Sequence, residues 1–287
     1  MSLGIAFKGA EGIVLAADSR VTLTTLRPSP VPNQPMLLPS TFDNATKLLS
    51  VASQKFIGAI TFGVGAIGQQ APRTAASFMP EFEEELAKHV AKNEKERMTV
   101  EDFAEKLGEF FLGQWTKGGM PNPSPGNEMV FLVGGYNEKE AYGRVFSLTI
   151  PSAPKPSEQS PNLFGATWGG QRELVDRLIQ GFDPTLPSIL PTLLHAAGQP
   201  IVDIEAELKK RLTLPIPWQF LPLQDCVDLS IFLVRTTIQL QRWLVSVRGV
   251  GGAIDVATIT RTDGFKAIQI KEVKGDTFLT ENKEGLR

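Results

Sequence analysis

Histidine and cysteine are scarce in this chain of 287 residues, which has two histidines and one cysteine. The single cysteine, Cys226, has no partner for a disulfide within the chain, and its apolar neighbours predict that it lies in the core. Metal sites that need several histidine or cysteine ligands are nearly excluded by these numbers. A Ser-His-Asp triad is disfavoured too, because His89 lies in a charged, helix-like run and the setting of His195 is similar. We expect neither a metal nor a cofactor.

Long runs of apolar or basic residues are also missing. No stretch of about 18 uncharged apolar residues occurs, and the segment MSLGIAFKGAEG has neither the basic start nor the apolar run of a secretory signal. The 29 Lys and Arg are balanced by 31 Asp and Glu, without a basic cluster that would attract nucleic acid. Because a single cysteine also fits a reducing compartment, we expect a cytoplasmic protein that binds neither nucleic acid nor membrane.

The residues that are present have ordinary globular proportions. Hydrophobic residues make up 42% and charged residues 21% of the sequence, which is enough to bury a full core. The length allows one large domain or two average ones. We favour a single domain over 1–287 with two insertions. These are a proline-rich surface loop at about 27–40 and a proline-punctuated, partly helical segment at about 184–222.

Strands and helices are predicted in blocks along the chain. This order favours an α+β fold, because a doubly wound parallel sheet would alternate strand and helix throughout. The predicted strands are 3–8, 12–18, 46–51, 55–62, 129–135, 143–150, 163–167, 253–260 and 266–270. The predicted helices are the second half of 67–93, one capped at Thr99, and 171–180, 202–211 and 223–244.

A glycine cluster at 63–68, GVGAIG, matches the G-x-G-x-x-G pattern between a predicted strand and a predicted helix. Glu83 follows twenty positions after the first glycine, as a dinucleotide site would require. That fingerprint also needs a second parallel strand ending in the acidic residue, whereas Glu83 lies inside a charged helical run. We therefore interpret the glycines as residues that let the backbone approach a substrate.

Ser2 lies almost at the N-terminus, and the sequence AADSR at 16–20 closes the second predicted strand. Residues 2–20, with SLGIAFK at the start and GIVLAADSR at the end, resemble without a gap the start of mature proteasome β-subunits, which are N-terminal-nucleophile (Ntn) hydrolases. In this register Ser2 falls on the nucleophilic N-terminal threonine of the family and Asp18 on its conserved aspartate. Further segments resemble the family in the same order: 46–48 (TKL), 58–63 (GAITFG), 166–170 (ATWGG) and 251–257 (GGAIDVA).

The resemblance implies a four-layer αββα sandwich that assembles into a homo-oligomeric ring and hydrolyses peptide or protein substrates. An unfoldase partner is left open. Ser2 would be the nucleophile once Met1 is removed, with Lys47 as the catalytic lysine and Asp18 as the partner of Lys47. The N–H of Gly63 would form part of the oxyanion hole. The resemblance places the substrate-binding positions at Thr22, Ala45, Leu49, Thr61 and Gly65.

The chain departs from the family pattern at several positions. Serine stands in place of the usual threonine nucleophile and lacks only its methyl group. Gly169 occupies the place of an auxiliary serine, and Val247 and Val250 occupy the places of a late aspartate and serine. The loss of these accessory residues favours an alternative, a catalytically inactive ring subunit or scaffold. A second alternative, an amidase for a small non-peptide amide, shares all of the chemistry.

The chemistry implied by the resemblance does not require histidine. A serine hydroxyl is a poor nucleophile until a base accepts its proton. The α-amino group of an N-terminal serine has an ordinary pKa of about 7.7–8.0, so it is partly neutral near pH 7 and can act as that base. The positive charge of Lys47 would lower the pKa of both the amine and the hydroxyl, while Asp18 holds the lysine in place.

Overall fold

The computed structural model describes residues 2–27, 36–69, 71–93, 97–122, 124, 126–196, 203–245 and 248–273. The strands within them are β1 (Leu3–Lys8), β2 (Ile13–Asp18), β3 (Val21–Arg27), β4 (Met36–Phe42), β5 (Leu48–Leu49), β6 (Ile57–Gly63), β7 (Met129–Gly135), β8 (Arg144–Ile150), β9 (Ala153–Glu158), β10 (Gly165–Gly170), β11 (Ile254–Thr260) and β12 (Gly264–Gln269). The helices are α1 (Met79–Asn93), α2 (Val100–Lys117), α3 (Glu173–Ile179), α4 (Leu186–Ala196), α5 (Ile204–Leu212) and α6 (Leu223–Leu240).

Strands β1 and β2 lie at the centre of a five-stranded antiparallel sheet with the order β10-β1-β2-β11-β12. Every residue of β1 and β2 is buried, so their sequences LGIAFK and IVLAAD are nearly all apolar rather than alternating. The pairing sets Leu3 opposite Gly170 and Gly4 opposite Ala17. The start of β1, which follows Ser2, therefore lies between the ends of β10 and β2.

A second antiparallel sheet has the order β5-β6-β7-β8-β9, and β3 pairs with β4 in a separate two-stranded ribbon. Strand β6 ends at the glycine cluster, and β5 begins directly after Lys47. Thr61 of β6 donates its N–H to the carbonyl of Lys47 at 3.0 Å. This sheet therefore fixes the backbone of Lys47.

Apolar side chains join the helices to the sheets and the sheets to each other. Helix α2 packs on β7, β8 and β9, and α6 packs on β1, β2 and β11. A cluster that includes Leu15, Ile60 and Leu132 connects the two five-stranded sheets. Each fully buried side chain of this size contributes about 1.5–3 kcal/mol by leaving water. The two edges that hold Ser2 and Lys47 are thus held together by core packing.

The predicted α+β class is confirmed, since antiparallel sheets and helices occupy separate stretches of the described chain. The predicted helix start is also confirmed, because the Thr99 hydroxyl accepts the N–H of Asp102 at 3.1 Å. Cys226 is buried as predicted, and this burial raises the pKa of its thiol to about 11. None of the described helices has the length and apolar character that a membrane crossing needs.

The predicted proline-rich loop at about 27–40 is wrong for its second part. Residues Met36–Phe42 form β4 and pair with Val21–Arg27, although β4 contains Pro39. A two-stranded ribbon tolerates this proline because each strand has a free side where no N–H is required. The first part of the predicted loop, 28–35, lies outside the described residues.

Other elements also differ from the prediction, including β3 (Val21–Arg27), which was not predicted, and β5, which is shorter than the predicted 46–51. The strand expected at 163–167 runs instead through Gly165–Gly170, so the glycines that resemble a turn continue the pairing with β1. Strand β9 was not predicted, because its sequence APKPSE has two prolines. It lies at the edge of its sheet, where proline is tolerated, and its residues alternate between exposed and half-buried. Helix α4 was not predicted either, because Pro191 lies inside it and proline is unfavourable in the interior of a helix.

Candidate active site

Ser2 is buried at the start of β1, with 2% of its surface exposed. Its carbonyl accepts the N–H of Gln171 at 2.7 Å, just beyond the end of β10. Gly170 has a φ of +93°, and a Cβ atom there would lie 1.9 Å from the Ser2 carbonyl oxygen. Only glycine therefore allows β10 to approach Ser2 this closely.

Replacing Gly170 with alanine is expected to destabilise the protein and to displace Ser2. The positive φ costs about 1–3 kcal/mol for a residue with a Cβ, and the contact with the Ser2 carbonyl adds a backbone clash. Gly119→Ala is the matched control, because Gly119 also has a positive φ (+62°) but open space around its Cβ position. Urea unfolding should show the larger loss for Gly170→Ala. Equal losses in the two variants would contradict the predicted clash.

Lys47 is in direct contact with both Ser2 and Asp18. The Lys47 Nζ donates to the Ser2 Oγ at 2.8 Å and to Asp18 Oδ1 at 2.6 Å. Lys47 is 5% exposed and Asp18 is fully buried. The three residues come from the start of β1, the segment before β5 and the end of β2. The structure thus brings a hydroxyl, an amine and a carboxylate together away from water.

Asp18 is fixed by a full set of donors. Besides Lys47, the N–H of Leu3 donates to Oδ1 at 3.0 Å, and the N–H groups of Arg20 and Gly251 donate to Oδ2 at 3.1 and 3.0 Å. All four groups are donors, so the side chain acts as an acceptor on both oxygens. Hydrogen bonds of this kind to a charged acceptor are among the stronger ones in proteins. Asp18 therefore provides a rigid counter-ion for Lys47.

Burial lowers the pKa of the Lys47 amine below its ordinary value of 10.5, while the charge and hydrogen bond of Asp18 oppose this shift. The loss of hydration is the larger effect, as expected for an amine with so little exposed surface. A lysine with a lowered pKa releases its proton more readily than a surface lysine does. Lys47 is thus suited to exchange a proton with the hydroxyl that it contacts.

A small pocket opens beside Ser2 and Lys47. About 10 Å³ of it is open to the centre of a water molecule, which is room for about one water. Three of the predicted substrate-binding residues, Ala45, Thr61 and Gly65, line this pocket. The Oγ1 of Thr61 is buried and makes no hydrogen bond within the described part of the chain. The pocket is therefore lined by both apolar and polar residues.

The other predicted site residues lie outside this lining. Leu49 is 2% exposed and packs in the core cluster beneath α1 and α2. Thr22 follows Val21, which does line the pocket, and its Oγ1 is buried without a hydrogen bond in the described residues. Gly63 has a φ of +90° and lies between Phe62 and Val64, both of which line the pocket. The oxyanion role of Gly63 stays a prediction.

Several residues of the site were not predicted. Val21, Thr46 and Ala75 line the pocket, and a Cβ on Gly65 would lie 1.9 Å from the Val21 side chain. Gly65 therefore lets Val21 close one side of the pocket. Ala75 begins a short 3-10 helix before α1. No local pattern in the sequence marks Ala75 as close to Ser2, since only the folded sheets bring them together.

Gly169, Val247 and Val250 occupy the positions of the accessory serine and aspartate residues, and none of them carries a hydroxyl or a carboxylate. A Cβ on Gly169 would lie 2.5 Å from the Phe62 ring, so a serine does not fit there without rearrangement. Val250 is 1% exposed and its N–H donates to Gln241 Oε1 at 2.9 Å. Val247 lies outside the described residues. At position 169, the Phe62 ring therefore occupies the space that the side chain of an auxiliary serine would need.

Other kinds of site receive no support from the geometry. Glu83 of α1 accepts the N–H of Ser53 at 3.1 Å, and β6 before the glycine cluster belongs to an antiparallel sheet. Neither feature has the arrangement of a dinucleotide site. Across the described ranges, no group of three or more His, Cys, Asp or Glu side chains is arranged to hold a metal ion.

No protein-family model and no curated protein matches the chain.

Proposed function

We propose that this protein is an N-terminal-nucleophile hydrolase of amide or peptide bonds, with Ser2 as the nucleophile after removal of Met1. The observation that carries the proposal is the buried contact of the Lys47 Nζ with both the Ser2 Oγ (2.8 Å) and Asp18 (2.6 Å). A serine hydroxyl next to an amine that is held by a third group has the general form of an activated nucleophile.

The packing supports a four-layer αββα sandwich of the proteasome β-subunit type as the finer description of the fold. One side of the core has α2 against β7–β9, and the opposite side has α6 against β1, β2 and β11. The apolar cluster between the two sheets would be the central interface of such a sandwich. In this arrangement the Ser2 end of β1 and the Lys47 segment would face each other across the inner layers.

In the proposed reaction, the Ser2 Oγ attacks the carbonyl carbon of the substrate and its proton passes to a neighbouring amine. This amine is the α-amino group of Ser2 or the Nζ of Lys47 in its neutral form. The C–N bond then breaks, and the leaving amine takes up the proton. A water molecule next hydrolyses the seryl ester, releases the acid and restores the hydroxyl. The N–H of Gly63 would stabilise the oxyanion, a contact typically worth about 3–4 kcal/mol.

The pocket favours substrates with a small group next to the bond that is cleaved. Its small volume and the contact between Val21 and Gly65 leave no room for a large side chain. This observation also supports the second candidate function, an amidase for small non-peptide amides. Comparing kcat/KM for an alanyl peptide amide with that for a simple acyl amide separates the two functions.

Mass spectrometry tests the proposed nucleophile directly. The intact protein is expected to lack Met1, because serine at the second position is small enough for methionine excision. An electrophile that reacts with N-terminal nucleophiles should then add one label, and peptide mapping should locate it on Ser2. A protein that retains Met1, or a label on another residue, would contradict the proposal.

The rate of hydrolysis is expected to rise with pH over about pH 6 to 9. Either amine accepts the proton only in its neutral form, and burial places the pKa of Lys47 below 10.5, so a higher pH increases the reactive fraction. The measurement is kcat/KM for a fluorogenic peptide against pH. Lys47→Arg keeps a positive charge that cannot be lost, so a rising limb that persists in this variant would assign the base to the Ser2 amine. A rate that falls with pH would contradict both assignments.

The proposed homo-oligomeric ring predicts a mass in solution that is a multiple of the 31.3 kDa chain. Light scattering at micromolar concentration measures it. The exposed side chains of Phe220 and Phe232 supply apolar surface for such contacts on and before α6. A mass equal to that of a single chain would contradict the ring and leave the proposed chemistry at Ser2 unaffected.

A further inference from the structure

A second cavity lies at the C-terminal end of α6 and shares no described lining residue with the pocket beside Ser2. We call it the arginine pocket, and it has a volume of about 380 Å³. Pockets for small molecules typically measure about 300–1,000 Å³, so this one is large enough for a compact ligand. Its lining consists of Arg20, Asp43, Ile238, Gln241, Arg242, Arg248, Val250, Gly251 and Gly252.

The lining of the arginine pocket carries a strong excess of positive charge. Three arginines face a single carboxylate, that of Asp43, which leaves an excess of two positive charges. Arg20 contacts Asp43 through two hydrogen bonds, from Nε at 2.5 Å and from Nη2 at 2.8 Å. These bonds raise the pKa of Arg20 and lower that of Asp43, so both remain charged. Among the described residues, Asp43 is the one acidic residue in the lining, and it pairs with Arg20. This described lining therefore provides no further carboxylate for Arg242 or Arg248.

Two of the three arginine side chains, those of Arg20 and Arg248, are held in place by contacts within the protein. A Cβ on Gly251 would lie 2.4 Å from the Arg20 Cζ, so the guanidinium group rests directly on the backbone of Gly251. The Nη1 of Arg20 donates to the carbonyl of Arg248 at 3.3 Å, and the Nη2 of Arg248 donates to the carbonyl of Arg242 at 3.1 Å. These contacts leave further N–H donors on each guanidinium group, since each carries five.

We propose that the arginine pocket binds the phosphate group of a small molecule. A phosphate dianion balances the excess of two positive charges, and its oxygens match the paired donors of guanidinium groups. Ile238 and Val250 supply an apolar wall for the rest of the ligand. The arginine pocket shares no described lining residue with the pocket beside Ser2, although the N–H groups of Arg20 and Gly251 donate to Asp18. Phosphate binding is measured directly, so the test does not require hydrolase activity.

Inorganic phosphate is the minimal probe for this proposal. Isothermal titration calorimetry of the full chain, at constant ionic strength set with chloride, should show saturable binding. The double variant Arg242→Ala/Arg248→Ala should weaken this binding at least about tenfold, because charge-assisted hydrogen bonds are lost at both positions. The control is Arg211→Ala, since the Arg211 side chain is 76% exposed on α5 and pairs only with Glu207 among the described salt bridges. It should bind phosphate as the wild type does.

A second double variant, Arg242→Lys/Arg248→Lys, keeps the charge but loses the paired donors, and its affinity should fall between those of the wild type and the alanine variant. Thermal unfolding with and without phosphate gives an independent readout, because a ligand that binds the folded state raises Tm. Absence of saturable binding, an effect that chloride alone reproduces, or unchanged affinity in the alanine variant would overturn the proposal.

Discussion

Replacing Ser2 with alanine is expected to abolish hydrolysis of a fluorogenic peptide, with a loss of about three orders of magnitude or more. The variant lacks the atom that would form the seryl ester, so no later step can take place. Lys47 loses one acceptor but keeps its ion pair with Asp18 at 2.6 Å, so the free energy of unfolding should fall by only about 1–3 kcal/mol. Initial rates, electrophile labelling and urea unfolding measure these effects.

Ser230→Ala is the matched control for this variant. Ser230 is also fully buried, and its hydroxyl donates to the carbonyl of Cys226 at 2.7 Å within α6. The change removes one buried hydroxyl at a position that does not line the pocket beside Ser2. Activity should therefore survive in Ser230→Ala. Hydrolysis that continues at the wild-type rate in Ser2→Ala would rule out Ser2 as the nucleophile.

Replacing Lys47 with alanine is expected to lower the rate by about tenfold to a thousandfold. A positive charge in contact with a titratable group shifts its pKa by about 1–3 units, and this variant removes that charge from the Ser2 hydroxyl. Stability should fall too, because Asp18 is left without a counter-ion. Removing one partner of a buried ion pair costs about 3–5 kcal/mol, and the three backbone N–H donors of Asp18 should keep the loss at the lower end.

Lys271→Ala separates the effect on chemistry from the effect on stability. Lys271 forms an ion pair with Asp255, which is fully buried as Asp18 is. The two variants should therefore lose similar amounts of stability. Only Lys47→Ala should lose most of its activity, because Lys47 donates to the Ser2 hydroxyl, whereas Lys271 influences Lys47 through its charge. Equal losses of activity in the two variants would indicate that Lys47 acts through structure alone.

The sequence predicted the parts of the fold that depend on local pattern. The hydrophobic segments that became β1, β2, β7 and β8 were located almost to the residue, because buried strands have distinctive apolar runs. Strands β3, β4 and β9 were missed. The prolines of β4 and β9 are unfavourable in the middle of a sheet and tolerated at its edges. Which strands pair is not encoded locally, so the contact of β10 with β1 had to come from the structure.

Some residues of the candidate site were proposed from the sequence, and others were found only in the structure. Ser2, Asp18 and Lys47 were proposed from the resemblance, and the structure brings these three side chains together. The roles of Gly170 and Gln171 in holding the Ser2 carbonyl had no signal in the sequence. They depend on an approach of two backbones that are distant in the chain. The same holds for the arginine pocket, whose charged residues come from both ends of the protein.

The hydrogen bonds of Asp18 also set the order in which the site can form. Its partners Leu3, Arg20 and Lys47 are within 29 positions of Asp18 along the chain, but Gly251 is 233 positions away. During synthesis on the ribosome, the first three are made long before Gly251 and before β11, the neighbour of β2 in the sheet. A nascent chain therefore contains the serine and the lysine without the complete support of the carboxylate between them. The geometry at Ser2 is completed only after Gly251 and β11 have been made.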